Sequence, residues 1–301
     1  MMCETPDSAC TDRRAPLMVR IDERSIPMIS NHLDETFEEK DKVYIYNSIF
    51  TLTEDEEQLI ADTLDNYWFV TGFYLLDLES GMAMGCNADY DFQTASTVKA
   101  GYALYCFKQI AAGKASFDDR LEYKRKHYIK GSGSTQYSSF GTLFTVKALL
   151  YRLIYNSDNV AYYMLLDYFG TEGYNDMMHE LGNRHEITPE ERWGYLTPHE
   201  LGMIWQEIYR FKDECSEGAL LWEYLTTNLY NELAEELTEY DVIAHKSGWS
   251  DYGYHDSGII CGDHDYIMII MTDTGRKTTA LYRTARVLDS IMRRYYLYYY
   301  G

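Results

Sequence analysis

Thr94-Ala95-Ser96-Thr97-Val98-Lys99 is the stretch around which the chain is organised. It contains the single S-x-x-K of the sequence and opens the apolar run Val98 to Ile110. A helix beginning near Ser96 carries Lys99 one turn on, over the same face as the serine. The serine then lies in the first turn, among free N–H groups and at the positive end of the helix dipole. A serine hydroxyl is a weak nucleophile until a neighbour takes its proton. Lys99 can take it when neutral, and an apolar wall with a second cation nearby lowers a lysine pKa. This reading requires a second cation elsewhere in the chain, together with groups that hold a substrate.

The chain of 301 residues suffices for one large domain or two intimate subdomains, and its 46% hydrophobic content allows a sizeable core. Acidic residues number 48 against 27 basic ones, a net charge of -21. That balance argues against a nucleic-acid partner and against an anionic membrane surface. Tyrosine occurs 30 times and reads as an amphipathic filler at the edge of the core. The six cysteines, at 3, 10, 86, 106, 215 and 261, form no C-x-x-C and no Cys/His cluster with zinc spacing. No disulfide framework, metal or cofactor is expected, and Cys106 and Cys261 read as buried thiols. Met1 to Leu17 lacks the apolar core of a signal peptide. No window reaches the roughly 18 apolar residues of a membrane span. The localisation stays open between an intracellular protein and an exported one already trimmed.

Residues 1–40 are polar, carry Pro6, Pro16 and Pro27, and read as an N-terminal arm. Lys42 to Thr51 reads as a short strand or a helix. Thr53-Glu54-Asp55-Glu56 is a capping box for a helix running to about Asn66. Trp68 to Leu78 and Met82 to Asn87 form a hairpin across Glu79-Ser80-Gly81. The apolar helix after Ser96 stops at Gly113. Residues 114–144 are loop-like, with Lys130-Gly131-Ser132-Gly133-Ser134 a flexible run and poor evidence for phosphate binding. Helices are expected over Val146 to Tyr155, Val160 to Phe169 and Thr171 to Leu181. Another starts at Thr197-Pro198-His199-Glu200, and one or two more lie within 215–238. Three strands follow, Val242 to Trp249, Gly253 to Cys261 and Tyr266 to Thr272, then a helix from Thr278 to Tyr296. The expected fold is α/β (α+β): a five-stranded antiparallel sheet flanked by the terminal helices, beside an all-α lobe. The catalytic domain would span 41–301, with an α/β lobe of 41–95 and 241–301, an all-α lobe of 96–240, and a cleft at their junction.

Two further clusters occur once each, Ser157-Asp158-Asn159 and Lys246-Ser247-Gly248. Taken singly, Ser96 reads as a helix cap, Asn159 as a turn residue and Lys246 as a solvated strand-end lysine. All three motifs in this order and in these contexts resemble the class A β-lactamase and penicillin-binding protein superfamily. The resemblance runs from about Leu59 to Arg294 and includes FTVKALLYRLIYNSDNVAYYMLL, TPHEL and VIAHKSGW. It implies that Ser96 is the acylated nucleophile and that Lys99 helps to activate it. Ser157 would relay a proton to the leaving nitrogen, and Asn159 would bind the substrate's side-chain carbonyl. Lys246 and Ser247 would bind the substrate carboxylate, Lys246 also being the second cation required above. Gly248 would let the strand backbone approach the ligand. The N–H groups of Ser96 and Trp249 would form the oxyanion hole. Asp158 would be structural.

The resemblance departs at one loop. Class A β-lactamases present a glutamate there, in an E-x-x-L-N setting, that activates the deacylating water. The corresponding Asn183 to Leu196 is short and has no such motif. Glu186, Glu190 and Glu191 are at hand, but Thr188-Pro189-Glu190-Glu191 reads more simply as a helix start. The expectation is a serine acyl-transfer hydrolase, forming an acyl-enzyme with β-lactams or related amides and deacylating slowly. Its alternatives are a D-Ala-D-Ala carboxypeptidase acting on peptidoglycan peptides and a non-turnover β-lactam-binding sensor. A serine-dependent glutaminase rests on fold-level analogy alone. The expected partner is a small molecule and the expected state a monomer.

Overall fold

The computed structural model describes residues 40–64, 69–230, 232–275 and 279–301. The N-terminal arm, with Cys3 and Cys10, lies outside them apart from Lys40, and so does the expected helix end at Asn66. β1 (Val43–Tyr46) comes first and settles the Lys42 to Thr51 segment as strand. α1 (Glu54–Leu64) begins at its capping box, where Thr53 N donates to Glu56 Oε2 at 2.8 Å and Glu56 N to Thr53 Oγ1 at 3.3 Å. The hairpin β2 (Thr71–Asp77) and β3 (Ala83–Cys86) turns through Gly81 at φ 76°. β4 (Phe92–Gln93) leads to α2 (Val98–Ala111). β5 (Arg120–Glu122) and β6 (Leu143–Thr145) pair inside the polar 114–144 stretch.

The helical region continues with α3 (Val146–Tyr155), α4 (Asn159–Phe169) and α5 (Glu172–Glu180). β7 (Tyr195–Leu196) precedes α6 (Pro198–Phe211), α7 (Ser216–Thr226) and α8 (Glu232–Glu236). α6 starts at the expected capping box, with Glu200 N on Thr197 Oγ1 at 3.0 Å and Thr197 N on Glu200 Oε2 at 2.9 Å. The chain closes with β8 (Val242–His245), β9 (Gly248–Trp249), β10 (Tyr254–Cys261), β11 (Tyr266–Thr272) and α9 (Thr279–Tyr299).

The sheet runs β1-β3-β2-β11-β10-β8, antiparallel throughout, with β9 also on β10. The five expected strands are its centre and β1 adds an edge. The expected Val242 to Trp249 strand is interrupted at Lys246-Ser247. Its two pieces nevertheless keep one register, His245 opposite Gly258 and Gly248 opposite His255.

Both faces of the sheet are covered. Along β11, Ile267, Ile269 and Met271 face the core shared with α2 to α7. Tyr266, Met268 and Ile270 face the core shared with α1, α8 and α9. This alternation is the period of two expected of a strand packed on both sides. α9 contributes the stripe Leu281, Ala285, Leu288 and Met292, each buried and each worth about 1.5–3 kcal/mol for the larger side chains. α6 lies directly on the sheet: a Cβ on Gly202 would stand 2.5 Å from the Tyr74 ring. Among the described residues, Cys86, Cys106, Cys215 and Cys261 form no disulfide. Among the described residues no helix is long and apolar enough to cross a membrane.

One expected helix is absent. Thr188-Pro189-Glu190-Glu191 makes a single turn, with Glu191 N on Thr188 Oγ1 at 2.9 Å and Thr188 N returning to Glu191 O at 3.2 Å. The next residues are drawn away instead of continuing a helix. Tyr162 Oη donates to Arg192 O at 2.7 Å, and Thr94 N donates to Gly194 O at 3.2 Å.

Candidate active site

Ser96 sits in a 3-10 turn, Ala95–Thr97, ahead of α2. Thr97 ties the turn back, its N–H and Oγ1 both donating to Thr94 O at 3.1 and 2.6 Å. Ala95 takes φ 47°, a left-handed conformation that a residue with a Cβ adopts only under constraint. Below the turn, Thr272 N donates to His255 Nδ1 at 3.1 Å, so the His255 Nε2–H donates to Gln93 O at 2.8 Å. Burial holds that imidazole neutral, with a pKa of about 4.

β9 lies against the same turn. A Cβ on Gly248 would stand 2.7 Å from both Ser96 N and Thr97 N. Lys246 N donates to Ser257 O and Ser250 N to Gly253 O, each at 2.8 Å. Since N–H directions alternate along a strand, the N–H groups of Ser247 and Trp249 leave the unpaired edge. Trp249 N–H thus emerges beside the turn that carries Ser96. The Trp249 side chain is 53% exposed.

Lys99 is fully buried on the first turn of α2. Its Nζ contacts Ser157 O at 2.6 Å, Asn159 Oδ1 at 2.6 Å and Ser157 Oγ at 3.2 Å. Burial drives its pKa well below the usual lysine value, and Lys246 drives it the same way against a smaller pull from Asp158. In all three contacts the amine is the donor, to a carbonyl, an amide oxygen and a hydroxyl oxygen. Ser96 Oγ, by contrast, makes no hydrogen bond to any described residue, the partners of the amine being Ser157 and Asn159. Lys246 is also buried, its Nζ donating to Ser247 O at 2.8 Å. Burial pulls its pKa down to about 8, opposed by Asp256 and Glu232. Ser247 Oγ makes only a long 3.4 Å contact with Tyr230 O.

The Ser157-Asp158-Asn159 junction is fixed from outside. Ser157 takes φ 53°. Asp158 caps α4, accepting from Ala161 N at 2.9 Å, and its other oxygen accepts from Thr135 N at 2.8 Å. Asn159 N donates to Ser132 O at 3.1 Å. The Lys130–Ser134 run, expected to be flexible, is therefore a fixed wall of the site. Gly131, at φ 145°, leaves 2.5 Å between a would-be Cβ and Asn159 Nδ2, and a Cβ on Gly133 would enter the Asp158 carboxylate. Asp158→Ala strips two buried N–H groups of their acceptor. It should cost about 2–4 kcal/mol in urea unfolding, whereas Glu180→Ala at the exposed end of α5 should cost under about 0.5 kcal/mol.

The sequence profile described as the Beta-lactamase enzyme family matches residues 56–298. The chain belongs to the beta-lactamase family. It is similar to Beta-lactamase VEB-1 of Pseudomonas aeruginosa, 24% identical over 207 residues that cover 62% of this chain and 67% of that one. Its fold is similar to that of PBP-A (TM-score 0.73, 20% identity, 81% of this chain and 97% of that chain). It is similar also to a beta-lactamase from Sphaerobacter thermophilus (TM-score 0.72, 20% identity, 79% and 96%). The mixed α/β architecture is thus the beta-lactamase fold, and the family is one of serine hydrolases.

Measured against that family, the Asn183 to Leu196 loop carries no carboxylate to Lys99. Glu186 is exposed and pairs with His179 at 3.1 Å. Glu190 and Glu191 are exposed as well. Glu200, buried at the start of α6, is held by the α6 cap, by Arg184 N at 2.7 Å and by His185 Nδ1 at 2.6 Å. What the beta-lactamase loop brings to Lys99 instead is Trp193, its ring centroid 5.2 Å from Nζ, beside Tyr162 at 5.9 Å. Sequence reasoning missed Trp193, Tyr162 and the two glycines of the 130–134 wall. An aromatic in an irregular loop and a Gly-Ser repeat carry no spacing signal that would single them out.

Proposed function

We propose that the chain is a serine acyl-transfer hydrolase that forms an acyl-enzyme at Ser96 with β-lactams or related amides and then deacylates slowly. The observation that carries this reading is the buried Lys99, its pKa lowered by burial and by Lys246 and its Nζ within hydrogen-bond distance of Ser157 and Asn159. Ser96 Oγ attacks the amide carbonyl as Lys99 takes its proton, Nζ swinging from Asn159 to reach it. The oxyanion forms at the N–H groups of Ser96 and Trp249. Lys99 then passes the proton to Ser157 Oγ while the Ser157 hydroxyl proton goes to the departing nitrogen, so the carbon–nitrogen bond breaks without net charge on either serine. Asn159 Oδ1 is engaged by Lys99, which leaves Nδ2 to donate to a substrate carbonyl. Lys246 and Ser247 take the substrate carboxylate. Residues 41–301 act as one catalytic domain and as a monomer, with β9 on one wall of the cleft and α2 and α4 on the other.

The shortage of a water-activating carboxylate supports slow deacylation, since a general base must come within about 3 Å of the attacking water, directly or through one bridging water. A mutant of PBP-A, of similar fold, is known as an acyl-enzyme complex with penicillin G. A chromogenic cephalosporin should give a burst of about one equivalent and then slow turnover. Intact-mass spectrometry should show an adduct that persists for minutes, and Ser96→Ala should show none. Labelling of Ser96→Ala would remove the nucleophile. Turnover above roughly 10 per second without an adduct would remove slow deacylation. A D-Ala-D-Ala carboxypeptidase is favoured by one observation: the unpaired edge of β9 offers backbone donors and acceptors to an extended peptide. Release of D-alanine from a pentapeptide is the measurement that separates the two.

A further inference from the structure

Trp193 belongs to no regular element, yet it is held more tightly than its loop requires. Thr94 Oγ1 donates to the Trp193 carbonyl, and Thr94 N donates to Gly194 O at 3.2 Å. β7 pairs with β4 immediately after, Tyr195 opposite Gln93. On the preceding side, Tyr162 Oη donates to Arg192 O at 2.7 Å, and the Arg192 guanidinium lies 4.2 Å over the Tyr163 ring. The Tyr162 and Trp193 rings are 5.2 Å apart. Every one of these ties leads either to Gln93 and Thr94, just ahead of the Ser96 turn, or to the helix that follows Ser157.

We propose that Trp193 is a positioning residue for the acylation reaction: latched by Thr94 and packed at a tilt against Tyr162, its indole roofs Lys99 and keeps water from the amine. The proposal rests on the reading of Lys99 as the base. Two effects of the ring oppose each other. The faces of Trp193 and Tyr162 attract an ammonium, which favours the charged amine by at most roughly one and a half pH units. Exclusion of water favours the neutral amine, by up to about 3–5 pH units for a fully buried lysine. Exclusion is therefore the larger effect of the roof. The other groups facing Lys99 are Lys246, which favours the neutral amine, Asp158, which opposes it, and the uncharged Ser157, Asn159 and Tyr162.

The test reads Lys99 itself, in the full chain labelled with 13Cε-lysine, its resonance assigned by its loss in Lys99→Arg. Trp193→Ala should raise the Lys99 titration midpoint by about 1–2 pH units as water enters. Trp193→Phe should leave it near the parent value, and Thr94→Val, which removes the side-chain latch alone, should raise it by less. Acylation by a fluorescent penicillin at neutral pH should fall about 10–100-fold in Trp193→Ala, with the rising limb of its pH profile moved to higher pH. An unchanged or lowered midpoint in Trp193→Ala and in Thr94→Val overturns the roof. A raised midpoint in a protein whose parent never labels with penicillin upholds the roof and overturns the acyl-enzyme reading instead.

Discussion

Lys99→Ala should slow acylation of Ser96 by about 10²–10⁴-fold, the usual contribution of a positioned general base, while the protein stays folded. Stopped-flow labelling with a fluorescent penicillin measures the rate, and near-UV circular dichroism checks the fold. The size of the effect follows from the burial of the amine. Burial and Lys246 lower the Lys99 pKa, so at a given pH more of the amine carries a free lone pair than in a solvated lysine. The sign of the pH dependence follows too. The neutral fraction of Lys99 grows as pH rises through its lowered pKa, so acylation should climb on the acid side. Lys246 must keep its proton to hold a carboxylate, and its pKa lies at about 8. The apparent second-order rate constant should therefore fall again above about pH 8, giving a bell. Lys246→Arg, always protonated, should lose the falling limb even if its rate is lower throughout. Near-parent acylation by a folded Lys99→Ala protein would take the lysine out of the mechanism.

Gly248→Ala should be nearly as damaging, about 10²–10³-fold in acylation rate, although it adds a single methyl group. That methyl would stand 2.7 Å from Ser96 N and Thr97 N and 3.1 Å from Thr94 O. All three are backbone atoms of a turn already tied by Thr97 to Thr94, so the turn has no slack to give. β9 must move instead, carrying Trp249 N–H away from the position where the oxyanion forms. A displacement of about 1 Å at a reacting centre costs about 10²-fold. The test is the acylation rate at saturating penicillin alongside the thermal midpoint. A rate within a factor of about two of the parent would mean that β9 does not supply an oxyanion donor.

The parts that were legible in the sequence are those whose signal is periodic or local. The short apolar run Tyr266 to Thr272 specifies a strand, and Thr197-Pro198-His199-Glu200 specifies a helix start by capping chemistry alone. The three motifs were legible because each is a short string in a definite context, and the fold does bring Lys99, Ser157 and Asn159 into one hydrogen-bonded group. The illegible parts depend on contacts between distant segments. Thr188-Pro189-Glu190-Glu191 has the residues of a helix start, but Thr94 and Tyr162 pull the following residues elsewhere. Gly131 and Gly133 look like a flexible run, but their missing side chains are what admits Asn159 and Asp158. The partners that hold the Lys99 amine, Ser157 and Asn159, likewise lie 58 and 60 positions away in the chain.

The sheet order carries a consequence for how the protein is made. β2 lies in the middle of the sheet between β3, its immediate successor in the chain, and β11, from Tyr266 to Thr272. When the β2–β3 hairpin leaves the ribosome, roughly 190 residues separate it from the strand that will cover its other edge. At about 5–20 residues per second, that edge waits about 10–40 s. During the wait, a seven-residue strand that is wholly buried in the finished protein has a ladder of unpaired N–H and C=O groups. The nascent chain is thus an opportunity for a chaperone or for a neighbouring copy on the same message, and its yield in a cell should depend on translation speed more than on the stability of the finished fold.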